Sequence, residues 1–270
     1  MITLATDFGT PYPAAMKGVM VQETDARFVD IAHDFPRQDI RTAAFWLREV
    51  LPYFPPAVHL VVIDPGVGTD RAAIVIRAGN HVLIGPDNGV LVPAARKLYP
   101  DPTGNENPTG NEPTKAIENR FEIFEISVDN PASSTFHGRD VFAPVAASVH
   151  NAGASQLHTL EELEEIDRFV DYQFPDPTIT SDHATGEVLV VDRFGNVITN
   201  IPGSVIDSNG SVTVNGVKVP VVDTFAGVTK GDRLVTIGSH GRVELDVNRG
   251  RGDDGFGLEP GDEVVLEFAG

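Results

Sequence analysis

Apolar positions in the first half of the chain fall into short runs, and between the runs the spacing changes to that of a helix. ITLAT (2–6), RFVDIA (27–32), VHLVVI (58–63), AAIVIRA (72–78), HVLIG (81–85) and FEIFEIS (121–127) read as strands. The run VHLVVI has the character of a strand buried on both faces, as in a parallel sheet. Between the runs, residues 12–24 place Ala15, Met16, Val19 and Val21 at helical spacing. Residues 39–50 read as an amphipathic helix with Asp39 as its N-cap. Shorter helices are expected at 91–98 and from about Arg139 to His150. Strands alternating with helices predict an α/β domain with a largely parallel sheet over residues 1–172.

The pattern changes twice. Residues 101–119 repeat the unit Pro-Thr-Gly-Asn-Glu without an apolar anchor and read as a mobile surface loop. After a Pro-rich linker at 173–185, residues 186–270 carry only short strands: 187–192, 196–201, 211–214, 217–222, 233–237, 242–247 and 263–268. Turns such as Asn209-Gly210 and Asn215-Gly216 separate them. This predicts a smaller all-β, barrel-like C-terminal domain.

Charge changes the picture of the surface. The 270 residues hold 39 acids and 20 bases, a net charge of −19, and the lysines are only Lys17, Lys97, Lys115, Lys218 and Lys230. Binding nucleic acid by neutralising its phosphates is therefore not expected. Dispersed acid with little lysine is the surface expected of a protein solvated in concentrated salt, where self-repulsion is screened; a merely acidic surface is the plainer alternative. Cysteine is absent, so disulfides, thiolate catalysis and thiolate metal sites are excluded. No apolar run approaches the roughly 18 residues that a membrane span needs. The first residues already read as a strand rather than a signal peptide, so a cytoplasmic location is expected.

Candidate chemistry gathers where strands end. In α/β sheets ligands collect beyond the carboxyl ends of the strands, and four runs here end in polar or glycine-rich stretches: Asp7-Phe8-Gly9-Thr10, Asp64-Pro65-Gly66-Val67-Gly68, Gly85-Pro86-Asp87-Asn88-Gly89 and the STFHG stretch. Neither a dinucleotide fingerprint nor a Walker A loop is present. Asp64, Arg71 seven residues on, and His137 are groups that can converge at one sheet edge. Gly138 beside His137 reads as leaving room for a small reactant. A metal held by His137, Asp64 and Asp140 finds no supporting ligand spacing. In the second half, VVDRFGNVITNI sets Asp192, Phe194 and Asn196 around Gly195, either as polar and stacking contacts to a flat ligand or as a hairpin turn with a core Phe. His33 and His59 read as strand-end hydrogen bonders, and His81, His150, His158 and His183 as surface residues. Arg251-Gly252-Asp253 reads as a turn, and Asp34 and Asp39 as caps.

TDFGT…MKGV, IDPGVGTDR, GPDNGVL, STFHGRDVFAPVAA, VDRFGNVITNI and GSHGRVELDVNRG occur in that order. The ordered set resembles the S-adenosylmethionine hydroxide adenosyltransferase family, the S-adenosylmethionine hydrolases, relatives of fluorinase and chlorinase. The resemblance covers nearly the whole chain except the 101–119 loop. It implies an N-terminal α/β domain, a β-barrel-like C-terminal domain, and a homotrimer with each ligand between the N domain of one subunit and the C domain of the next. It implies hydrolysis of S-adenosylmethionine at C5′ of the ribose to adenosine and methionine, with no cofactor and no metal, and Asp64, Arg71 and His137 as the catalytic set. Asp7 is then the candidate for the ribose hydroxyls. Asp192 and Asn196 match the positions for the methionine amino group and the adenine edge. Phe136 and Phe194 are candidates to sandwich adenine. Ser239 matches a serine near the methionine carboxylate, and Asn248 a position on the adenine side. The chain departs from the family in the short segment between Asp7 and Lys17, which lacks the ribose-binding Asp of fluorinase, and at Gln38 and His240, where relatives often carry aromatic or Arg residues. Two other readings stay open: a nucleoside-binding protein with incidental turnover, and a halide-using adenosyltransferase, against which the intact Asp-Arg-His set argues.

Overall fold

The computed structural model describes residues 1–99, 121–127, 135–206 and 210–268. The loop expected at 101–119 and Asn209 of the expected Asn209-Gly210 turn lie outside the described residues. The chain divides into two compact units, Met1–Gln173 and Phe174–Gly270.

The first unit is an α/β layer. Its elements in chain order are β1 (Ile2–Thr6), α1 (Tyr12–Met20), β2 (Phe28–Ala32), α2 (Ile40–Val50), β3 (Val58–Val62), β4 (Ala73–Ala78), β5 (His81–Pro86), α3 (Val92–Leu98), β6 (Glu122–Ile126), α4 (Ala143–Ala152) and β7 (Leu163–Glu165). The strands lie in the order β2-β1-β3-β5-β4-β6-β7. Pairings β2–β1, β1–β3 and β3–β5 are parallel, whereas β4 runs against both β5 and β6, and β7 against β6. It follows that β2, β1, β3, β5 and β6 point one way and only β4 and β7 the other, so the sheet is mixed and mostly parallel in direction. Every residue of β1 and β3 is buried, as their apolar runs require. Helix α2 begins where Asp39 accepts a hydrogen bond from Thr42 N at 2.9 Å, satisfying one of the free N–H groups of the first turn. It buries Ala43, Ala44, Phe45 and Leu47.

Two helices differ from the spacing. Helix α1 ends at Met20 rather than near Thr24, because the chain tightens into bonds spanning three residues, Gln22 N to Val19 O and Glu23 N to Met20 O. The helix expected from Arg139 is α-helical only from Ala143. Before it lies one wide π turn, Gly138–Phe142, closed by Ala143 N donating to Gly138 O. Pro144 follows and has no N–H to return to the Asp140 carbonyl, which favours the wider turn there.

Three histidines are also placed differently. His59 is not at a strand end. It lies within β3, fully buried, with Nδ1 at 2.8 Å from Thr3 Oγ1 and Nε2 at 2.9 Å from His81 Nδ1. His81 is therefore half-buried rather than a surface group, and His150 contacts Thr24 Oγ1 at 3.0 Å. Burial and the neighbouring His81 push His59 down to about 3, so it is neutral at ordinary pH. His33 follows β2 and bonds Thr6 and Asp30.

The second unit is all-β apart from short helical turns. It holds β8 (Thr178–Ile179), β9 (His183–Val191), β10 (Val197–Pro202), β11 (Ser211–Val214), β12 (Val217–Pro220), β13 (Arg233–Ile237), β14 (Arg242–Val247), α5 (Gly252–Phe256) and β15 (Glu263–Phe268). The order is β12-β11-β15-β9-β10-β14-β13, with β8 on β9, and all these pairings are antiparallel. A bridge from Val221 to Val235 brings the two ends of the sheet together, so the unit is a nearly closed barrel. Val188, Val197, Val235, Val243, Leu245, Val264 and Leu266 fill it. The two-residue turn Asn215-Gly216 has positive φ at both positions, 46° and 82°, the conformation that Asn and Gly adopt most readily. Within 173–185, the pairing of β8 with β9 already belongs to this sheet. The Arg251-Gly252-Asp253 stretch opens α5 instead of forming a simple turn; any side chain at Gly252 would collide with the Leu245 carbonyl.

Candidate active site

The site is built at the carboxyl end of β3. Ile63 and Asp64 follow the strand directly, and the next residues form a loop that returns Arg71 to Asp64. Gly66 N donates to Asp64 Oδ1 at 3.2 Å, and Thr69 Oγ1 donates to Gly66 O at 2.7 Å, which folds the loop on itself. Arg71 Nη2 then donates to Asp64 Oδ2 at 2.6 Å, and Nη1 to the Ala72 carbonyl at 2.6 Å. The side chains of Asp64 and Arg71 are 6% and 9% exposed. Burial pushes the Asp64 carboxyl above its ordinary value, partly opposed by the Arg71 charge and its hydrogen bond.

His137 arrives from a distant part of the sequence, at the mouth of the π turn. Its Nδ1 lies 3.4 Å from Arg71 Nη2. A guanidinium can only donate, so this contact presents the lone pair of Nδ1 to Arg71 and leaves the proton of a neutral imidazole on Nε2. Arg71 also lies over the Phe142 ring, 5.5 Å from its centroid. Its Nε is buried and has no partner among the described residues, which leaves one directed donor at the centre of the cluster.

The neighbouring loop braces this arrangement. Asn88 Nδ2 donates to the Ile63 carbonyl at 2.9 Å, one residue before Asp64, and Asn88 Oδ1 accepts from Val90 N at 3.1 Å. Asp87 N donates to Ala72 O, the same carbonyl that Arg71 grips. The Asp87 carboxylate accepts from Val170 N at 2.8 Å, and burial raises it.

An aromatic wall stands beside the cluster. Phe8, Tyr12 and Phe136 meet edge to face, with centroids 5.5–6.1 Å apart. Arg139 lies 5.1 Å from the Phe136 centroid on the same wall. Gly138 also packs closely under the wall. It is buried, and a Cβ there would sit 3.2 Å from Met16 Sδ and from the Phe136 ring, a close fit beneath the wall.

The structure thus brings Asp64, Arg71, His137 and the Phe136 wall to one place. Asp7 is tied elsewhere: its Oδ2 accepts from Gln38 N at 2.6 Å and holds Gln38 at φ 63°. In the second unit, Asp192, Phe194 and Asn196 form one turn between β9 and β10. Asp192 Oδ1 accepts from Phe194 N at 2.8 Å and Asn196 N at 2.9 Å, and Oδ2 from Asn196 Nδ2 at 3.0 Å. Phe194 is 78% exposed, so it is not the core Phe of a hairpin. Ser239 is exposed on the turn before β14. Asn248, just after β14, donates its Nδ2 to Val228 O at 2.8 Å.

Two acids escaped the sequence reading. Glu244 and Asp246 alternate with Val243 and Leu245 along β14, the usual sign of a solvent-facing edge, yet they are 8% and 0% exposed. Burial first, and then Asp192, push Glu244 up to about 7. Burial, then Glu244 and Asp192, push Asp246 up to about 7.

Comparison with known proteins gives the same picture at full length. Residues 2–160 match the model of the SAM hydroxide adenosyltransferase N-terminal domain, and residues 186–265 that of its C-terminal domain. A protein of Salinispora tropica named (R)-S-adenosyl-L-methionine hydrolase is 38% identical, over 97% of this chain and 96% of its own. One of Thermus thermophilus with the same name is 37% identical, over 97% of each chain. A crystal structure of a conserved protein from Thermotoga maritima superposes with a TM-score of 0.78 at 32% identity, covering 98% of this chain and 99% of that one.

Proposed function

The chain belongs to the SAM hydroxide adenosyltransferase family, and from that premise we propose that it hydrolyses S-adenosyl-L-methionine at C5′ of the ribose, giving adenosine and L-methionine. The observation that carries the reading is the compact Asp64–Arg71–His137 cluster at the strand end. Full-length relatives named as hydrolases of this compound support it.

The reaction is a displacement. The oxygen of water bonds to C5′, the C5′–S bond breaks, and its electron pair neutralises the sulfonium. Methionine leaves as a neutral thioether, so the leaving group needs no proton and the reaction no cofactor. The difficulty lies in holding water in line and removing its proton. Asp64 is suited to accept that proton, because burial raises it and, among the described residues, Oδ1 accepts only the 3.2 Å bond from Gly66. The Arg71 charge stabilises the developing hydroxide, and its unpartnered Nε–H is a donor for that oxygen. His137 is then an orienting donor through Nε2–H rather than the base, since Nδ1 faces a cation. Phe136, with Phe8 and Tyr12, supplies a flat apolar wall for adenine.

Ligand-type residues in both units support a homotrimer whose site joins the first unit of one subunit to the second unit of the next, with Phe194 and Asn196 on the adenine side. Ser239, and more weakly Asp7 and Asn248, whose polar groups already have partners, complete the proposed contacts. The net charge of −19 and scarcity of lysine support a salt-adapted enzyme.

Incubation with S-adenosylmethionine in molar KCl and oxygen-18 water tests the reading. Label is expected in the adenosine 5′-hydroxyl, and it should vanish in Asp64→Ala. Adenosine binding without turnover would replace the hydrolase by a nucleoside-binding protein. A 5′-halo product formed with halide would make it a transferase.

A further inference from the structure

We propose that His33 is a positioning residue for the aromatic wall: it clasps the loop that carries Phe8 and ties it, through Asp30 and Lys17, to the helix that carries Tyr12. The inference rests on the reading of that wall as the surface for adenine.

The loop Asp7-Phe8-Gly9 leaves the carboxyl end of β1 and turns at Gly9, whose φ is 63°. Phe8 is only partly buried and meets Tyr12 and Phe136 edge to face. Such ring contacts are individually weak, too weak to order a loop residue by themselves. The loop is held from its two ends instead. Thr6 is fully buried, and its Oγ1 lies 2.9 Å from His33 Nδ1. Gly9 N donates to the His33 carbonyl at 2.8 Å. One residue therefore grips both flanks of Asp7-Phe8, by its ring on one side and its main chain on the other. The bond from Gln38 N to the Asp7 carboxylate adds a third tether from the same segment.

The ring of His33 is itself held. The register between β1 and β2 breaks where Leu4 pairs with Asp30 and Ala5 with Ala32, skipping Ile31. A break of this kind re-aims the side chains around it, and Asp30 and His33, three residues apart, meet at 2.9 Å through Oδ1 and Nε2. Lys17 Nζ donates to the other oxygen of Asp30 at 2.6 Å. Burial opposes ionisation of Asp30, but the bonds from Lys17 and His33 outweigh it and hold the carboxyl below its ordinary value. A carboxylate only accepts, so the His33 proton is on Nε2, and Nδ1 takes the hydroxyl proton of Thr6 as an acceptor. Each bond of the chain Lys17–Asp30–His33–Thr6 thereby has one direction. Its outer end, Lys17, is on α1, the helix that opens with Tyr12. Two of the three rings of the wall, one on a loop and one on a helix, are fixed through the same imidazole, which touches none of the Asp64–Arg71–His137 groups among the described contacts.

The test uses the full chain and its His33→Ala, Asp30→Ala and Phe8→Ala variants, with thermal melting to establish folding. Binding of adenosine and of L-methionine is measured separately by calorimetry, alongside kcat and KM for S-adenosylmethionine. His33→Ala should weaken adenosine and raise KM by about five- to tenfold, while kcat and methionine affinity stay within about twofold. Asp30→Ala alters a half-exposed side chain, is not expected to endanger the fold, and should give the same pattern at about threefold. In a Phe8→Ala background the loss of adenosine affinity caused by His33→Ala should vanish, because it passes through Phe8. Unchanged adenosine affinity in folded His33→Ala or Asp30→Ala, equal losses for adenosine and methionine, or an undiminished His33→Ala effect without Phe8 would overturn the clasp. Adenosine affinity that follows His33 in this way, in a protein that puts no oxygen-18 into adenosine, would instead sink the hydrolase reading and leave the clasp standing.

Discussion

Asp64 and Asp246 are both carboxylates with little solvent around them, but the chain surrounds them in opposite ways. Asp64 faces a guanidinium at 2.6 Å and a backbone N–H. Asp246 faces other acids and, among the described residues, no donor. The first is a charge completed within its own unit, which fixes its geometry for a reacting water. The second is incomplete, which costs stability. Buried charge alone does not reveal which kind of site is present; the partners do.

The comparison is broken most severely by making Asp64 resemble Asp246. Arg71→Ala leaves Asp64 buried without its counter-charge. It should lower kcat by about a thousandfold or more and stability by about 3–5 kcal/mol, read from turnover and urea unfolding. His137→Ala removes an orienting donor but no charge partner. A loss of about a hundredfold in kcat is expected, with melting almost unchanged; a fall as deep as that of Asp64→Ala would make His137 the base instead.

The opposite operation, relieving Asp246, should stabilise. A carboxyl near 4 when unfolded and near 7 when folded resists ionising in the fold. Stability therefore falls as pH rises from about 4 to about 7 and then levels. Asp246→Asn removes that loss. Its melting temperature should exceed the wild type at pH 8, by about 2–4 °C for each kcal/mol recovered, and match it at pH 4. A constant difference at both values would assign the effect to packing. A smaller change sharpens the Asp64 side. Asn88→Asp keeps the acceptor for Val90 but loses the donor to Ile63 O, and kcat should fall about fivefold, the equivalent of roughly 1 kcal/mol, with KM unchanged. Smallest for catalysis is Asp39→Ala, which removes the cap of α2. It should cost about 1 kcal/mol of stability and leave turnover untouched.

Much of the fold could be read from alternation alone. The strands at 211–214, 233–237, 242–247 and 263–268 have the boundaries that the pattern gives, and the Asp39 cap lies where its residue type asks for it. The short β7, β8 and α5 left too few residues for a period to show. Asp64, Arg71 and His137 were visible as strand-end groups. That Arg71 turns back onto Asp64 depends on a loop whose path no spacing specifies. The wide turn before α4 and the packing of Gly138 against Met16 arise from tertiary contact. Glu244 and Asp246 were hidden for the plainest reason: a strand of alternating acid and apolar residues looks the same whether its outer face meets water or is covered.

The two halves of the Asp64–Arg71–His137 cluster also differ in how far the chain must travel to make them. Asp64 and Arg71 are seven residues apart, whereas His137 is separated from Arg71 by 66. Closing the longer loop carries an extra entropic cost of about 2 kcal/mol by the logarithmic law for flexible chains. The ion pair and the adjacent β4–β5 hairpin are local, low-contact-order structures that can form early in folding, and His137 docks only when the later part of the unit has settled. Refolding followed by amide protection and by turnover should therefore show a protected hairpin before any activity, with an inert ion pair already in place while the chain is still incomplete.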